Sequence, residues 1–163
     1  MTKTRLDPLL LLVASGLVVG AALLSEYVGG LVPCELCLAE RWPYYILLAL
    51  NLGGVLAGNP RVTRIVLGLS ALVFLVSAGL GAYHVGVEQH WIAGPTACTG
   101  GDTAGAKSIE DLQKLLLQQQ PVRCDEVQWS LVGISLAGWN FLISLALLVF
   151  TASRLRQAGA RSA

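Results

Sequence analysis

Four long stretches of the chain contain no charged side chain and consist mainly of apolar residues. Each is long enough to cross a bilayer core of about 30 Å, for which a helix needs roughly 17–25 residues. Because lipid offers the backbone no hydrogen bonds, each stretch is expected to form a helix. The stretches cover residues 8–25, 42–60, 65–87 and 127–153. The pattern predicts an all-α membrane protein, a single four-helix transmembrane domain over 1–163 with spans at about 8–26, 42–59, 65–87 and 128–152.

Composition supports a membrane protein. Charged residues make up 13% of the chain, about half their share in an ordinary soluble domain. The formal net charge is +1, without a basic cluster, and we therefore expect no nucleic-acid partner. The first apolar stretch has a basic start like a signal peptide, but it is longer than a usual signal core and no clear A-x-A site follows it.

The basic residues predict the orientation of the bundle, since Lys and Arg accumulate in short cytoplasmic segments. Seven of the eleven lie before the first stretch, between the second and third, or after the fourth, whereas nine of the ten acidic residues lie on the other side. Both termini are therefore predicted to be cytoplasmic. Two loops, at about 27–41 and 88–127, then face outward. Most aromatic rings lie near that outer boundary, and we interpret them mainly as an interfacial belt; they include Trp42, Trp91, Trp129, Tyr27, Tyr44, Tyr45 and Tyr83.

All four cysteines fall in the two outer loops: Cys34 and Cys37 in the first, Cys98 and Cys124 in the second. An even number of cysteines on one non-cytoplasmic face indicates disulfide chemistry in an oxidising compartment. A Cys98–Cys124 bond could be a structural staple. A ring closed over two residues restricts little chain, so for the first pair we favour an exchangeable disulfide. Zinc fits less well, because four-cysteine sites usually offer two close pairs. We expect no metal.

Arg41 follows Cys37 by four residues and would share its face if the second helix began near Cys37. A helix that began near Glu40 is equally compatible with Pro43. In both cases a guanidinium lies close to Cys37 at the membrane surface and would favour its thiolate. The alternative is an arginine that only anchors the helix end. A thiolate beside a fixed positive charge at the lipid boundary points to a membrane quinone as electron acceptor, since Arg41 could stabilise the developing negative charge.

The segments PCELCLAER, GAYHVGVEQHW and GPTACTG resemble the disulfide bond formation protein B (DsbB) family of bacterial inner-membrane thiol oxidases. The resemblance covers nearly the whole chain, including the order of the close and the separated cysteine pairs. It implies an inner-membrane location, periplasmic cysteine loops, and a diffusible ubiquinone or menaquinone as acceptor. It also implies a periplasmic thioredoxin-like partner, a DsbA-type thiol oxidant, which this protein re-oxidises.

The resemblance implies a role for each cysteine. Cys98 is attacked by the reduced partner, Cys124 resolves by attacking Cys34, and Cys37 is released as the thiolate that meets the quinone with help from Arg41. A polar residue near the outer end of the third helix would contribute to the quinone site. His84, Gln89 and His90 are its candidates, with His84 the one expected to face the bundle. A histidine without a catalytic role is the favoured alternative for His84.

In the second loop, SIEDLQKLLLQQQP predicts a short amphipathic helix between Ser108 and Pro121 that rests on the membrane lipid or on the bundle. Three other functions remain open from the residues: an oxidase dedicated to one partner, a non-enzymatic membrane scaffold with stapled loops, and a metal-binding membrane protein.

Overall fold

The structure is a computed structural model that describes residues 3–95, 108 and 122–160, with side chains for 5–95, 108 and 122–157. It is helical, with four long helices in the described part of the chain. They are α1 (Lys3–Tyr27), α2 (Glu35–Ala57), α3 (Pro60–Glu88) and α4 (Leu136–Ala160). The prediction of an all-α protein with four long helices is confirmed.

Three helical segments are long and apolar enough to cross a membrane: Arg5–Tyr27, Pro60–Glu88 and Leu136–Gln157. This agrees with a multi-pass membrane protein. α2 has a similar length, 23 residues, but carries acidic and basic side chains in its first two turns. Its role as a fourth span stays a prediction.

α2 begins at Glu35, so a start near Glu40 is wrong. Cys34 caps the helix: its backbone is extended, with φ −73° and ψ 170°, and its sulfur accepts a hydrogen bond from the backbone N–H of Cys37. Pro43 lies inside the helix. A proline is tolerated at such a position where neighbouring helices satisfy the freed backbone groups. The early start places both Cys37 and Arg41 on helical backbone, one turn apart.

α4 begins at Leu136 and not near residue 128, because a small hairpin precedes it. Strands β1 (Ser130–Leu131) and β2 (Ile134–Ser135) pair antiparallel across the turn residues Val132 and Gly133. Both turn residues have positive φ, 56° and 78°, as a type I′ turn requires. Ser135 then caps α4 by accepting a hydrogen bond from the N–H of Gly138 at 3.1 Å.

The helices pack in sequence order, with α1 on α2, α2 on α3 and α3 on α4. An apolar cluster fills the middle of the bundle and includes Leu11, Tyr44, Leu47, Leu67 and Phe74. A second, smaller buried cluster lies where α2 begins and α3 ends, and contains Cys34, Leu36, Val87 and Cys124. The cysteine-bearing segments therefore meet at one end of the bundle. Cys98 and nearly all of the predicted loop helix lie outside the described residues.

Candidate functional site

Cys34 and Cys37 form a vicinal dithiol at the start of α2. Their sulfur atoms lie 2.7 Å apart, with Cys34 as hydrogen-bond donor. The backbone N–H of Cys37 also donates to the sulfur of Cys34, at 3.2 Å. Cys34 is buried, with 3% of its surface exposed, whereas Cys37 is half-buried. The loop-to-helix transition thus holds the two thiols in contact.

The shared hydrogen bond makes the two thiols chemically unequal. The bond to Cys37, together with burial, raises the pKa of Cys34 to about 12. The same bond lowers the pKa of Cys37 below its ordinary value. Since the thiolate is the reactive form, the lowered pKa favours Cys37 over Cys34 as the thiolate of the reduced pair.

His84 reaches the dithiol from α3. Its Nε2 lies 3.6 Å from the sulfur of Cys34, and its Nδ1 lies 2.7 Å from Oε1 of Glu40. The ring is 3% exposed. The expectation that His84 faces the bundle is therefore correct, whereas the other histidine, His90, is exposed.

Glu40 begins a chain of buried polar contacts that crosses from α2 to α4. Its Oε2 accepts a hydrogen bond from Nδ2 of Asn140 at 2.7 Å. The hydroxyl of Tyr44 donates to Oδ1 of Asn140 at 2.7 Å and contacts Oγ of Ser144 at 2.8 Å. Ser144 in turn contacts Ser77 at 2.9 Å. Such a chain fixes the Glu40 carboxylate in one orientation.

Sequence analysis assigned Glu40 no role in the site, and it predicted Tyr44 as part of the interfacial aromatic belt. Tyr44 is only 2% exposed and does not belong to an interfacial belt, unlike Trp42, which is 67% exposed. The signal for Glu40 was present: a carboxylate three residues after Cys37, at the start of an apolar run, is costly unless paired. Its partners could not be named because Asn140 and His84 lie far away in the chain.

Arg41 pairs with Glu26 near the end of α1, with 2.5 Å between Nη1 and Oε2 and 13% of its side chain exposed. A guanidinium carries five N–H donors in all, so the ion pair fixes the side chain and leaves donor capacity for a further acceptor. Held by Glu26, Arg41 borders the space between α1 and α2.

That space is a cavity of about 230 Å³, lined by α1, α2, α4 and the connecting segments. Cys37, Glu40, Arg41 and Asn140 supply polar groups to its wall, and most of the rest is apolar. Small-molecule sites have this character, largely apolar with a few polar groups that orient the ligand. Among the described residues, His84 does not line this cavity. It borders a smaller one at the dithiol, so direct contact between His84 and a ligand in the larger cavity is not supported.

Cys124 joins the dithiol from the second loop. It is 1% exposed and belongs to the same buried cluster as Cys34. The structure therefore brings together three of the four predicted cysteines and His84. Arg41 lines the larger cavity that adjoins these residues.

Comparisons with known proteins agree on one family. A family model described as "Disulfide bond formation protein DsbB" matches residues 4–153. Disulfide bond formation protein B of Polaromonas naphthalenivorans is 32% identical over 91% of this chain and 93% of its own length. Disulfide bond formation protein B 1 of Pseudomonas aeruginosa is 32% identical over 88% of this chain and 89% of its own. Disulfide bond formation protein B of Verminephrobacter eiseniae is 34% identical over 84% of this chain and 80% of its own length. No solved structure gives a significant match.

Fold and site define a helical membrane protein whose centre is a vicinal dithiol at one end of the bundle. The chain belongs to the disulfide bond formation protein B (DsbB) family, as the sequence motifs indicated.

Proposed function

We propose that this protein is a quinone-dependent thiol oxidase that re-oxidises a periplasmic, thioredoxin-like dithiol partner of the DsbA type. One observation carries the proposal: the more acidic thiol of the pair, Cys37, lines a mostly apolar cavity beside Arg41. A half-buried thiol of lowered pKa next to an apolar cavity and a fixed cation suits transfer of electrons from sulfur to a lipid-soluble acceptor.

The residues around the cavity fit a quinone ring. The volume of about 230 Å³ is below the roughly 300–1,000 Å³ typical of sites for drug-sized ligands, and suits a single headgroup. A bound quinone supplies an acceptor for two electrons and two protons. Arg41 would hold a ring oxygen by hydrogen bonds and would stabilise negative charge there, as preorganised donors do. Cys37 approaches from the same helix face, one turn earlier.

Electrons reach the dithiol site from the second loop. A thiolate of the reduced partner attacks Cys98 of a Cys98–Cys124 disulfide, and the released Cys124 thiolate attacks Cys34 of a Cys34–Cys37 disulfide, which forms a Cys34–Cys124 bond and frees Cys37. The partner's second thiol then attacks its own mixed disulfide with Cys98, and the freed Cys98 re-forms the bond to Cys124 and releases Cys34 as a thiol. Each exchange forms one S–S bond and breaks another through a mixed disulfide. The burial of Cys124 in one cluster with Cys34 supports this order. Cys37 leaves as the thiolate, in keeping with its lowered pKa.

Protons leave the pair through His84 and Glu40. Oxidation of two thiols to a disulfide releases two electrons and two protons, and quinone reduction consumes the same number. Cys34 retains a proton that must be removed, and Nε2 of His84 is the neighbouring acceptor, at 3.6 Å. Glu40 holds the ring through Nδ1 and also lines the cavity. The His84–Glu40 pair thus joins the buried thiol to the cavity in which protons are consumed.

We also propose that α2 is the fourth span, in a bacterial inner membrane with cytoplasmic termini and periplasmic cysteine loops. Charged side chains inside a membrane protein pair with one another or face the bundle. Glu40 pairs with His84 and Asn140, and Arg41 pairs with Glu26. This internal pairing removes the objection that the charges of α2 raise against insertion.

The test mixes purified protein, a reduced thioredoxin-like oxidant and a soluble quinone, and follows quinone absorbance. We expect turnover in the wild type, none in Cys37→Ser, and slower turnover in Arg41→Ala. Arg61→Ala is the matched control, because Arg61 is exposed at the opposite end of the bundle. Unchanged turnover in Cys37→Ser contradicts the assignment of the quinone-proximal thiol. Cysteines that stay oxidised and never respond to quinone identify a scaffold.

A further inference from the structure

We propose that the reduced form of the protein binds one zinc-class cation between Cys34, Cys37 and His84, and that the bound ion blocks oxidation of the dithiol. The ligand atoms of these three side chains all lie within 4.8 Å of one another. The ion is a reversible occupant of the dithiol state and not a resident cofactor. The binding itself needs only reduced cysteines, whereas the blocking effect rests on the proposed function.

The donor set suits zinc. Two sulfurs and an imidazole nitrogen are borderline-soft ligands, which Zn²⁺ prefers over the oxygen ligands of magnesium or calcium. In a tetrahedral site with Zn–S of about 2.3 Å and Zn–N of about 2.0 Å, neighbouring donors lie roughly 3.5–3.8 Å apart. The distance from the sulfur of Cys34 to Nε2 of His84, 3.6 Å, already fits. The sulfur of Cys37 must move roughly 1 Å away from that of Cys34. Cys37 borders two cavities and has room to do so.

The histidine is held as metal-binding histidines are. Such a ring donates its second N–H to a carboxylate or carbonyl, which fixes the tautomer and directs the free lone pair at the metal. Glu40 occupies this position on Nδ1 of His84 at 2.7 Å and is itself held by Asn140. In the neutral tautomer with its proton on Nδ1, Nε2, which lies 3.6 Å from the sulfur of Cys34, would offer its lone pair to the metal.

A small cavity of about 20 Å³ adjoins the three ligands. A single water needs roughly 10–15 Å³, so this space accepts one ion-sized occupant. Glu88 also lines the cavity, and its carboxylate or a water completes the fourth position. Arg123 lies on the same wall, but its charge is offset by Asp125 and Glu126, at 2.7 Å and 3.4 Å. Two thiolates would neutralise a divalent ion, and binding releases the protons of both thiols.

The spacing of the cysteines in the sequence argued against a zinc site, because the chain offers only one close pair of cysteines. The third ligand comes from α3, fifty residues beyond Cys34. Helix packing, and not a sequence motif, completes the set.

The experiment titrates reduced, detergent-solubilised protein with Co²⁺ as a spectroscopic probe for Zn²⁺, in a Cys98→Ser/Cys124→Ser background that leaves only the two site thiols. We expect one Co²⁺ per chain, with thiolate-to-cobalt charge-transfer absorption, and displacement by Zn²⁺. Affinity should fall more than 100-fold in His84→Ala and by about 10- to 100-fold in Glu40→Gln, the usual effect of losing a partner of a metal-bound histidine. His90→Asn is the control.

The same protein with its Cys34–Cys37 pair oxidised is a second control that needs no further substitution, and it should bind no cobalt. Equal affinity in His84→Ala and the parent overturns the proposal, because the thiols alone would then account for binding. Cobalt binding by the oxidised form also overturns the proposal. In a separate arm, Zn²⁺ should stop quinone reduction by the wild type and a chelator should restore it. Binding without inhibition contradicts only the blocking role, and absence of turnover without zinc is a failure of the proposed function.

Discussion

Nδ1 of His84 lies 2.7 Å from Oε1 of Glu40, although 44 residues separate them in the chain. The contact joins α3 to α2 directly beneath the dithiol. The contact fixes the orientation of the His84 ring, so that its Nε2 faces Cys34.

Replacement of His84 by alanine should slow oxidation of the reduced Cys34–Cys37 pair roughly 100-fold, the lower end of the usual contribution of a positioned acid–base group. The measurement is single-turnover mixing of reduced protein with a soluble quinone. Glu40→Gln should slow the reaction less, because the ring remains but loses the carboxylate that holds it at Nδ1. Added imidazole should partly restore the rate in His84→Ala, an effect that a purely structural role does not produce. His90→Asn should react like the wild type, and a similar rate in His84→Ala refutes the acid–base role.

Alkylation of Cys37 should begin at lower pH than that of an ordinary cysteine. Its pKa is lowered from 9.0 by the hydrogen bond from Cys34, and only the thiolate reacts. Cys34 should stay protonated until about pH 12, to which its own pKa is raised. In Cys34→Ala the hydrogen bond is lost, and the midpoint for Cys37 should move to higher pH. Mass spectrometry of labelled peptides measures both residues, with denatured protein as the reference. If the alkylation midpoint of Cys37 is unchanged in Cys34→Ala, the hydrogen bond from Cys34 is not the cause of its lowered pKa.

Tyr44→Phe should lower the free energy of unfolding by about 1 kcal/mol. The substitution removes a hydroxyl that bonds to Asn140 and Ser144 in the interior of the bundle, and leaves their polar atoms without that partner. Unfolding in mixed detergent micelles provides the measurement. Tyr45→Phe is the matched control, because Tyr45 is next in the chain and 40% exposed. Equal stability of the two variants contradicts an energetic role for the buried hydroxyl.

Gly81→Ala should destabilise the contact between α3 and α4 by about 1–3 kcal/mol. A Cβ at Gly81 would lie 3.0 Å from the backbone nitrogen of Phe141, and the backbone cannot yield as a flexible side chain does. At Gly79, in the same helix, a Cβ meets no atom within 4 Å. Gly79→Ala should therefore leave thermal unfolding in detergent nearly unchanged or slightly raise the midpoint. Similar midpoints for both variants show that α4 shifts without cost.

The sequence by itself determined the four long helices and the family. Those features depend on local pattern: the length of the apolar runs, the absence of charge within them, and the order of the cysteines along the chain. It also predicted that Cys34 and Cys37 form an exchangeable pair, since ring size depends only on spacing, and this stays a prediction. Boundaries were less well determined. Cys34 extends α2 by capping it, and a turn at Val132 and Gly133 delays α4.

Tertiary structure alone decided what surrounds the dithiol. His84, Glu40 and Asn140 come from three helices, and Asn140 lies 100 residues beyond Glu40. Hydropathy predicts that a helix forms, but not how it is rotated about its axis or which neighbour it faces. Those properties follow from packing. It buried Tyr44, although the next residue in the chain, Tyr45, is exposed, and it buried Glu40 against partners that no local pattern indicated. The neighbours of the thiols, and the chemistry they permit, are consequences of that rotation.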